Sequence, residues 1–143
     1  MKKNILLILL FPFVLFGCSQ IKSNNIIISE EQETELLSVV NILRQVKFIG
    51  SVEVKNHKIR NDRSEVVDIT LPMTIYEIAN NYRIVRIAVY PEFIYFILGG
   101  FKGTTYGVVY SQMAVKQLYG FYDVQTIRQK DNYFWYIASS KLW

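Results

Sequence analysis

The sequence is poor in the side chains that most catalytic and metal sites use: its 143 residues contain one cysteine, Cys18, and one histidine, His57. A lone cysteine cannot form a disulfide within one chain, so packing has to hold the fold together. A zinc site would need several carboxylates, and the acidic residues are scattered along the chain. A Ser-His-Asp mechanism would have to use His57, at which no serine is evidently aimed. We therefore expect no metal, no cofactor and no catalytic triad.

A strong excess of charge and a phosphate-binding loop are also missing. The formal net charge is +4, which is too small to predict nucleic-acid binding. Gly99, Gly100, Gly103 and Gly107 are not followed by Lys-Ser or Lys-Thr at the spacing of a phosphate loop. Turns and crowded strand positions explain these glycines better. We expect no nucleic-acid partner.

The first 18 residues have the three parts of a secretory signal. Two lysines come first, residues 5–16 are apolar, and the small residue Gly17 precedes Cys18. An apolar helix of about 12 residues reaches only about 18 Å, which is short of a hydrocarbon layer of ~30 Å, so cleavage is favoured over a membrane span. With residues 15–17 directly before the cysteine, the segment resembles the signal peptide of a bacterial lipoprotein, whose lipobox ends at Cys18.

The resemblance implies that a diacylglyceryl group is added to the sulfur of Cys18 and that the leader is cleaved behind Gly17. Acylation of the new amino terminus, typically with palmitate, follows in this class. Two or three acyl chains hold a protein at a membrane essentially permanently. Ser19 stands where an aspartate would retain a lipoprotein in the inner membrane of Gram-negative bacteria. We expect a cell-envelope location: the periplasmic face of the outer membrane in a Gram-negative host, and otherwise the outer face of the plasma membrane.

The rest of the chain is predicted to form one domain. Residues 1–17 are the signal peptide, residues 18–28 the lipidated cysteine and a tether, and residues 29–143 a single α+β domain. A flexible tether of ten residues or fewer has a root-mean-square reach of roughly 15 to 20 Å. The domain would therefore stay close to the headgroups, and its partner would have to come to it.

A helix is predicted to begin at Ser29, whose hydroxyl can cap the first turn while Gln32 reaches back as in a capping box. Acidic residues follow near its amino end and basic residues near its carboxyl end, which suits the helix dipole. A coiled coil would need more than two heptads, so packing on the protein's own sheet is favoured. Apolar residues recur at helical spacing: Leu36, Val39, Leu43 and Val46.

From residue 47 onward, β-branched and aromatic residues dominate, and turn residues interrupt them. Residues 72–81 suit a short helix or an extra strand, and residues 112–119 a helical turn or a loop. Short connections imply antiparallel pairing. The predicted fold is α+β, with an N-terminal amphipathic helix packed on a curved antiparallel sheet of about six strands, similar in architecture alone to cystatin-like and related folds. Strand patterns cover residues 48–54, 65–71, 82–90, 93–98, 104–111, 121–129 and 133–138.

Residues 55–64 are predicted to form a loop between two strands, and this loop is rich in basic side chains. Loops on rigid scaffolds commonly carry binding sites. A basic loop suits an acidic surface such as anionic headgroups, cell-wall polymer or a protein partner, and a solvated, mobile tip is the alternative. The candidate binding residues in it are Lys55, His57, Lys58, Arg60 and Arg63.

Aromatic residues are concentrated in the last third of the chain. Residues 133–136 place aromatic side chains on both faces of one strand, so half of them cannot enter a one-sided core. Either a helix covers the second face or that face is exposed as a contact site. Tyr133 and Trp135 are the candidate binding residues of this run. The full set is Tyr106, Tyr110, Tyr119, Phe121, Tyr122, Tyr133, Phe134, Trp135, Tyr136 and Trp143.

These patterns predict a membrane-anchored envelope lipoprotein that binds another protein and is not an enzyme, such as a periplasmic inhibitor or immunity protein. One alternative is an accessory or assembly lipoprotein of an envelope complex, and another is a cell-wall hydrolase. Hydrolysis of glycosides needs two carboxylates across a cleft. The spacing singles out no pair among Glu53, Glu65, Glu77, Glu92 and Asp123.

Overall fold

The computed structural model describes residues 28–114, 120–130 and 132–141. The predicted signal peptide, Cys18, residues 19–27 of the tether, residues 115–119 and residues 142–143 lie outside these ranges. Over the described residues the elements are two helices and seven strands: α1 Glu30–Gln45, β1 Gly50–Glu53, β2 Lys58–Asn61, α2 Met73–Asn81, β3 Arg86–Val89, β4 Phe93–Phe101, β5 Thr104–Ser111, β6 Phe121–Lys130 and β7 Tyr133–Lys141.

The strands form one sheet in the order β2-β1-β3-β4-β5-β7-β6, and every neighbouring pair is antiparallel. This confirms the predicted α+β class and the antiparallel sheet. The described sheet has seven strands instead of the six expected. Residues 72–81, for which a helix and a strand were both open, contain α2, which begins directly behind Pro72. Residues 112–114 belong to no helix.

Three of the strand predictions are wrong. β2 lies inside the predicted loop of residues 55–64, so the turn before it is short. Residues 65–71 form no strand. Val66 makes only an isolated bridge to Arg60, and its side chain is 59% exposed, so burial does not hold this residue in a strand beside β2. The strand predicted from residue 82 begins only at Arg86, because the preceding residues complete the end of α2. There the N–H of Ile84 donates to the carbonyl of Ala79 at 2.8 Å.

The start of α1 follows the predicted capping box. The N–H of Gln32 donates to Oγ of Ser29 at 3.1 Å, and the N–H of Ser29 donates to Oε1 of Gln32 at 2.9 Å. Both bonds satisfy amide groups that the first turn of a helix leaves without partners. Ile28, the last residue of the predicted tether, is buried in the core. The buried residues of α1 are Glu33, Leu36, Val39, Val40 and Leu43.

The two faces of the sheet bury different sets of side chains, because successive residues of a strand point to opposite faces. On the helix side, apolar residues of both helices share one buried cluster with strand residues such as Val52, Ile87 and Phe96. The other face, on which neither helix of the described residues packs and which we call the helix-free face, has a second buried cluster. Its buried members are Ala88, Tyr95, Ile97, Val109, Tyr136 and Ala138.

Two glycines, Gly103 and Gly107, occupy the two kinds of position that the sequence predicted: a turn and a crowded strand. Gly103 has a φ of 82° in the two-residue turn between β4 and β5, where Lys102 has a φ of 48°. At Gly107 an added Cβ would lie 2.1 Å from the carbonyl oxygen of Phe96 on the neighbouring strand. Such a contact is too close for any side chain, so Gly107 lets β4 and β5 keep their spacing.

Candidate functional site

The predicted basic loop is divided by β2. Lys55 and His57 lie in the short turn before this strand, and Arg63 lies in the turn after it, near Ser64, whose φ is 63°. Four residues of strand separate the two turns, about 13 Å at ~3.3 Å per residue. Lys55, His57 and Arg63 are all exposed. The structure therefore does not bring the predicted basic residues together in one tip.

Arg60 is engaged by an acidic partner on the neighbouring strand. Its Nε lies 3.2 Å from Oε1 of Glu53, and its Nη1 donates to the carbonyl of Ser64 at 2.8 Å. The hydrogen bond from Arg60 is the main reason that the pKa of Glu53 lies below its usual value. Lys58 pairs in register with Glu53 across the two strands and lies on the same face. Glu53, Lys58 and Arg60 thus form a charged strip on this face of the sheet, in which Arg60 neutralises Glu53.

His57 packs on a helix instead of facing a nucleophile. Its ring stacks on Tyr76 of α2 with centroids 4.1 Å apart and an angle of 26° between the planes. Beside it is a shallow groove of about 480 Å³ between the β1–β2 turn and the end of α2. Polar and basic groups at this groove come from Lys55, His57, Asn80 and Arg83, and apolar groups come from Val54, Ile84 and Val85. Its chemistry suits an anionic group.

Tyr133 and Trp135 both lie on the helix side. The prediction of a partner contact is corrected for Trp135, which is completely buried, whereas Tyr133 keeps part of its surface exposed. Trp135 is 0% exposed and packs against Phe96 and Tyr110, with ring centroids 6.1 Å and 5.2 Å away. The hydroxyl of Tyr133 donates to Oε1 of Glu33 at 2.8 Å. Trp135 fills the core beneath the helices, and Tyr133 is used to fasten α1 to the sheet.

The other two aromatic residues of that run belong to the helix-free face. Phe134 and Tyr136 stack with centroids 5.8 Å apart and planes 9° from parallel. Phe121 meets the rings of Phe93 and Tyr95 edge to face, at 5.2 Å and 5.0 Å. We call Tyr90, Phe93, Tyr95, Phe121, Phe134 and Tyr136 the aromatic cluster. Four of these side chains, those of Tyr90, Phe93, Phe121 and Phe134, keep part of their surface exposed.

The contact of Phe121 with β4 shows that the sheet curls toward the helix-free face. β6 and β4 are separated by β7 and β5, which in a flat sheet would put them about 14 Å apart at ~4.8 Å per strand. The pairing of β6 with β7 shifts register between Tyr122 and Gln125 and again between Thr126 and Arg128. Asp123, within the first shift, has a φ of 51°. Bulges of this kind bend and twist a strand, and here they help close the sheet over the aromatic cluster.

Polar side chains beneath the aromatic cluster are paired with nearby groups. The hydroxyl of Tyr95 lies 3.3 Å from both Oγ1 of Thr105 and the carbonyl oxygen of Ala138. Burial raises the pKa of Tyr95 to about 12. The hydroxyl of Tyr136 donates to the carbonyl of Met113 at 3.2 Å, which ties the chain after β5 to this face.

The aromatic cluster and the charged strip lie on one face. In the strand register, Ser51 and Arg60 face the same side as Ala88 and Tyr95, and so do Glu53 and Arg86. The helix-free face therefore combines an aromatic half on β4 to β7 with a half that carries Lys58, Arg60 and Arg86. Sequence reasoning missed Phe93 and Arg86, because their common face depends on the pairing of β3 with β4.

The carboxylates considered for hydrolysis are distributed over the fold. Glu53 lies on β1, Glu77 on α2, Asp123 on β6, Glu92 between β3 and β4, and Glu65 after β2. Glu53 is bonded to Arg60 and Glu65 to Nδ2 of Asn61, which donates at 2.9 Å. Among the described residues, no group of three histidine, cysteine or carboxylate side chains is placed to hold a metal ion.

Comparisons with protein-family models, with curated proteins and with solved structures give no match for this chain. In the described part of the chain, neither helix has the length and apolar character needed to cross a bilayer.

Proposed function

We propose that this chain is a lipid-anchored envelope protein that binds another protein and catalyses no reaction. The anchor is supported by the sequence alone: a basic start, an apolar stretch of about a dozen residues, and Cys18 directly after Gly17. Acylation at Cys18 would hold the domain at a membrane surface in the cell envelope. In a Gram-negative host that surface is the periplasmic face of the outer membrane, and otherwise it is the outer face of the plasma membrane.

The observation that carries the binding proposal is the composition of the helix-free face. Partly exposed aromatic rings, including Phe93, Phe121 and Phe134, adjoin a strip with Arg60 and Arg86 on one surface. Tyrosine, tryptophan and arginine are the residues most enriched at the energetic centres of interfaces, and aromatic residues are enriched in interface cores. A partner with an apolar centre and acidic groups at one side would complement this surface.

An inhibitor or immunity protein is the class of binder we propose. Such a protein needs a rigid body, a membrane anchor and one complementary face, and it needs no catalytic group. We also propose a cystatin-like arrangement in the broad sense of helices laid on one face of a curved antiparallel sheet. In support, residues of α1, α2 and the sheet share one buried cluster.

The binding proposal is tested by capture from the native envelope with matched variants. The lipidated protein carrying both Phe134→Ser and Arg86→Glu should lose its partner, because one change removes an aromatic contact and the other reverses a charge. Val46→Ser with Lys47→Glu, at the exposed end of α1, is the matched control and should keep the partner. Circular dichroism and urea unfolding of each variant show that the fold persists. Retention of the partner by the first variant would overturn the assignment of this face.

The captured partner also separates the alternative functions. A soluble toxin or hydrolase as the sole partner supports an inhibitor or immunity protein. A stable membrane complex supports an accessory lipoprotein instead. Turnover of cell-wall fragments without any partner supports a hydrolase. The anchor is tested independently by mass spectrometry of the native product, which should begin at Cys18 and carry acyl chains.

A further inference from the structure

Three connections of the chain and the end of β7 lie at one end of the sheet. Glu53, Lys58 and Arg86 share a register position on β1, β2 and β3, and Arg86 pairs with Ile97 toward the end of β4. The β1–β2 turn, the chain entering β3 and the β4–β5 turn therefore lie at the same end. Lys141, at the end of β7, pairs there with Thr104. We call this the basic end.

Exposed cations occupy the turns and the strand end at the basic end. Lys55 lies in the β1–β2 turn, Arg83 between α2 and β3, Lys102 in the β4–β5 turn, and Lys141 at the end of β7. All four side chains are exposed. Acidic groups toward this end are Glu53, which Arg60 neutralises, Asp123 on β6, and three residues near the start of α1: Glu30 and Glu31, which are exposed, and Glu35, which is bonded to the hydroxyl of Tyr82. The cations stand at the turns themselves, where a flat charged surface would meet them first.

An aromatic side chain projects among these cations. Phe101 is 69% exposed at the tip of the β4–β5 hairpin, and Nζ of Lys102 lies 5.2 Å from the centre of its ring. An exposed phenylalanine costs free energy in water, and an aromatic ring beside a lysine is a combination that membrane-surface segments use. Val85, which is 53% exposed, adds apolar surface where the chain enters β3.

The opposite end of the sheet differs in its charges. Lys47, Arg63 and Lys130 are exposed there, as are Asp62, Glu65 and Glu92, so cations and anions are interspersed. Ile49, at 44% exposure, provides an exposed apolar side chain next to Gly50. Exposed apolar surface is thus present at both ends, and at the basic end a lysine lies directly beside it, as Lys102 does at Phe101.

The chain also enters the described fold beside the basic end. Ile28 lines a groove of about 250 Å³ together with Arg83 and Leu98. Leu98 precedes Phe101 on the same strand by about 10 Å at ~3.3 Å per residue. Nine residues lie between Cys18 and Ile28, and a flexible chain of that length has a root-mean-square reach of roughly 17 Å. A lipid anchor at Cys18 would therefore keep this end within reach of the bilayer.

We propose that the basic end docks on the anionic surface of a phospholipid bilayer, with Phe101 inserted among the headgroups and Lys55, Arg83, Lys102 and Lys141 paired with lipid phosphates. The orientation rests on the proposed anchor at Cys18. Phe93 and Phe134 lie at the other end of their strands from Phe101 and Lys141, so docking leaves these rings of the aromatic cluster open toward the envelope space. The bilayer would thus present this part of the protein-binding face instead of covering it.

A thiol probe tests the docking. Acylation blocks Cys18, so Phe101→Cys introduces the one reactive thiol of the lipidated chain, and Ile49→Cys does the same at the opposite end. Each protein is labelled with an environment-sensitive fluorophore and reconstituted in vesicles containing phosphatidylglycerol. The label at position 101 should shift to the blue and be quenched by brominated lipid, whereas the label at position 49 should behave as in water.

Charge variants sharpen the test. Lys55→Gln with Lys102→Gln should lower the ratio of shielded to exposed label at position 101 by about fivefold for each cation lost. Lys47→Gln with Arg63→Gln, at the opposite end, should leave that ratio unchanged. Vesicles of phosphatidylcholine alone should show less shielding than anionic vesicles.

The outcomes distinguish failure of the docking from failure of the anchor. If the protein without an added cysteine takes up label, Cys18 is free and the anchor proposal fails. Docking is then supported only if the labelled chain still binds anionic vesicles through position 101. If Cys18 is blocked and the label at position 101 stays exposed, or the label at position 49 is shielded instead, the docking proposal is overturned and the anchor stands.

Discussion

The two faces of the sheet are equally well buried at their centres but are closed by different means. Trp135 on the helix side and Tyr136 on the helix-free face are neighbours in sequence, and both have almost no exposed surface. Trp135 is covered by helices that share its cluster, whereas Tyr136 is covered by aromatic neighbours and by the chain around Met113. One strand therefore serves two cores, and the core without helices depends on the curl of the sheet.

This difference predicts that residues on the helix side act mainly in stability and residues at the margin of the aromatic cluster mainly in binding. On the face closed by helices, the largest side chains, such as Trp135, are fully enclosed and reach no partner. A face closed by a curled sheet keeps rings such as Phe93 and Phe134 partly exposed at its margin. We therefore expect substitutions on the helix side to act mainly on the free energy of unfolding and substitutions at the margin of the aromatic cluster to act mainly on binding.

The largest effect is expected when Trp135 and Phe134 are truncated in separate variants, which tests the difference between the two faces directly. Trp135→Ala removes a completely buried indole and should lower the free energy of unfolding by about 3–5 kcal/mol. Phe134→Ala removes a ring that is partly solvated and should cost about 1–2 kcal/mol. Urea unfolding followed by far-UV circular dichroism measures both. Equal losses for the two variants would show that the faces do not differ in the way we describe.

Features that depend on local contacts could be predicted from the sequence, and features that depend on distant contacts could not. The capping box of α1 was predicted because Ser29 and Gln32 are three residues apart and make their bonds within one turn. β2 was missed because Ile59 is its only apolar residue, and its strand conformation depends on pairing with Val52 of β1. Nothing local to residues 58–61 carries that information.

Only the aromatic composition of the candidate site could be predicted from the sequence, not its arrangement. The run of aromatic residues at 133–136 indicated that both faces of one strand are apolar, but it did not indicate which parity meets the helices. Trp135 was placed among the binding residues, but its position in β7 turns it to the helix side, where it is completely buried. The meeting of Phe121 with Phe93 crosses two intervening strands and depends on bulges in β6, which no sequence pattern announced.

The second prediction concerns how α1 is fastened to the sheet on the helix side. Glu33 is buried and accepts hydrogen bonds from Arg128 of β6 and Tyr133 of β7. Glu33→Ala leaves a partly buried guanidinium and a hydroxyl without this partner, so the free energy of unfolding should fall by about 2–3 kcal/mol. Glu31→Ala, on the exposed side of the same helix, is the matched control and should change it by less than about 0.5 kcal/mol. A loss of similar size at both positions would refute a specific role for Glu33.

The smallest effect is expected at the phenol groups of Tyr82 and Tyr95, whose pKa values are both raised but by different causes. The hydrogen bond between the hydroxyl of Tyr82 and Glu35 of α1 raises the pKa of Tyr82 to about 12, whereas burial on the helix-free face raises that of Tyr95 to about 12. Glu35→Gln should therefore return the pKa of Tyr82 toward 10 and leave Tyr95 unchanged. Absorbance at 295 nm, recorded as the difference between variant and parent from pH 9 to 13, measures the change.

The sign of the accompanying stability change follows from proton linkage. A raised pKa means that the folded chain holds the phenol proton at pH values where the unfolded chain has released it. The stabilisation is complete below about pH 10 and is lost as the pH rises through about 12. Glu35→Gln should flatten this alkaline decline, and Tyr95→Phe should flatten it without any change at Tyr82. If Glu35→Gln leaves every late-titrating phenol in place, burial governs both tyrosines, and the two sides of the sheet are alike in this respect.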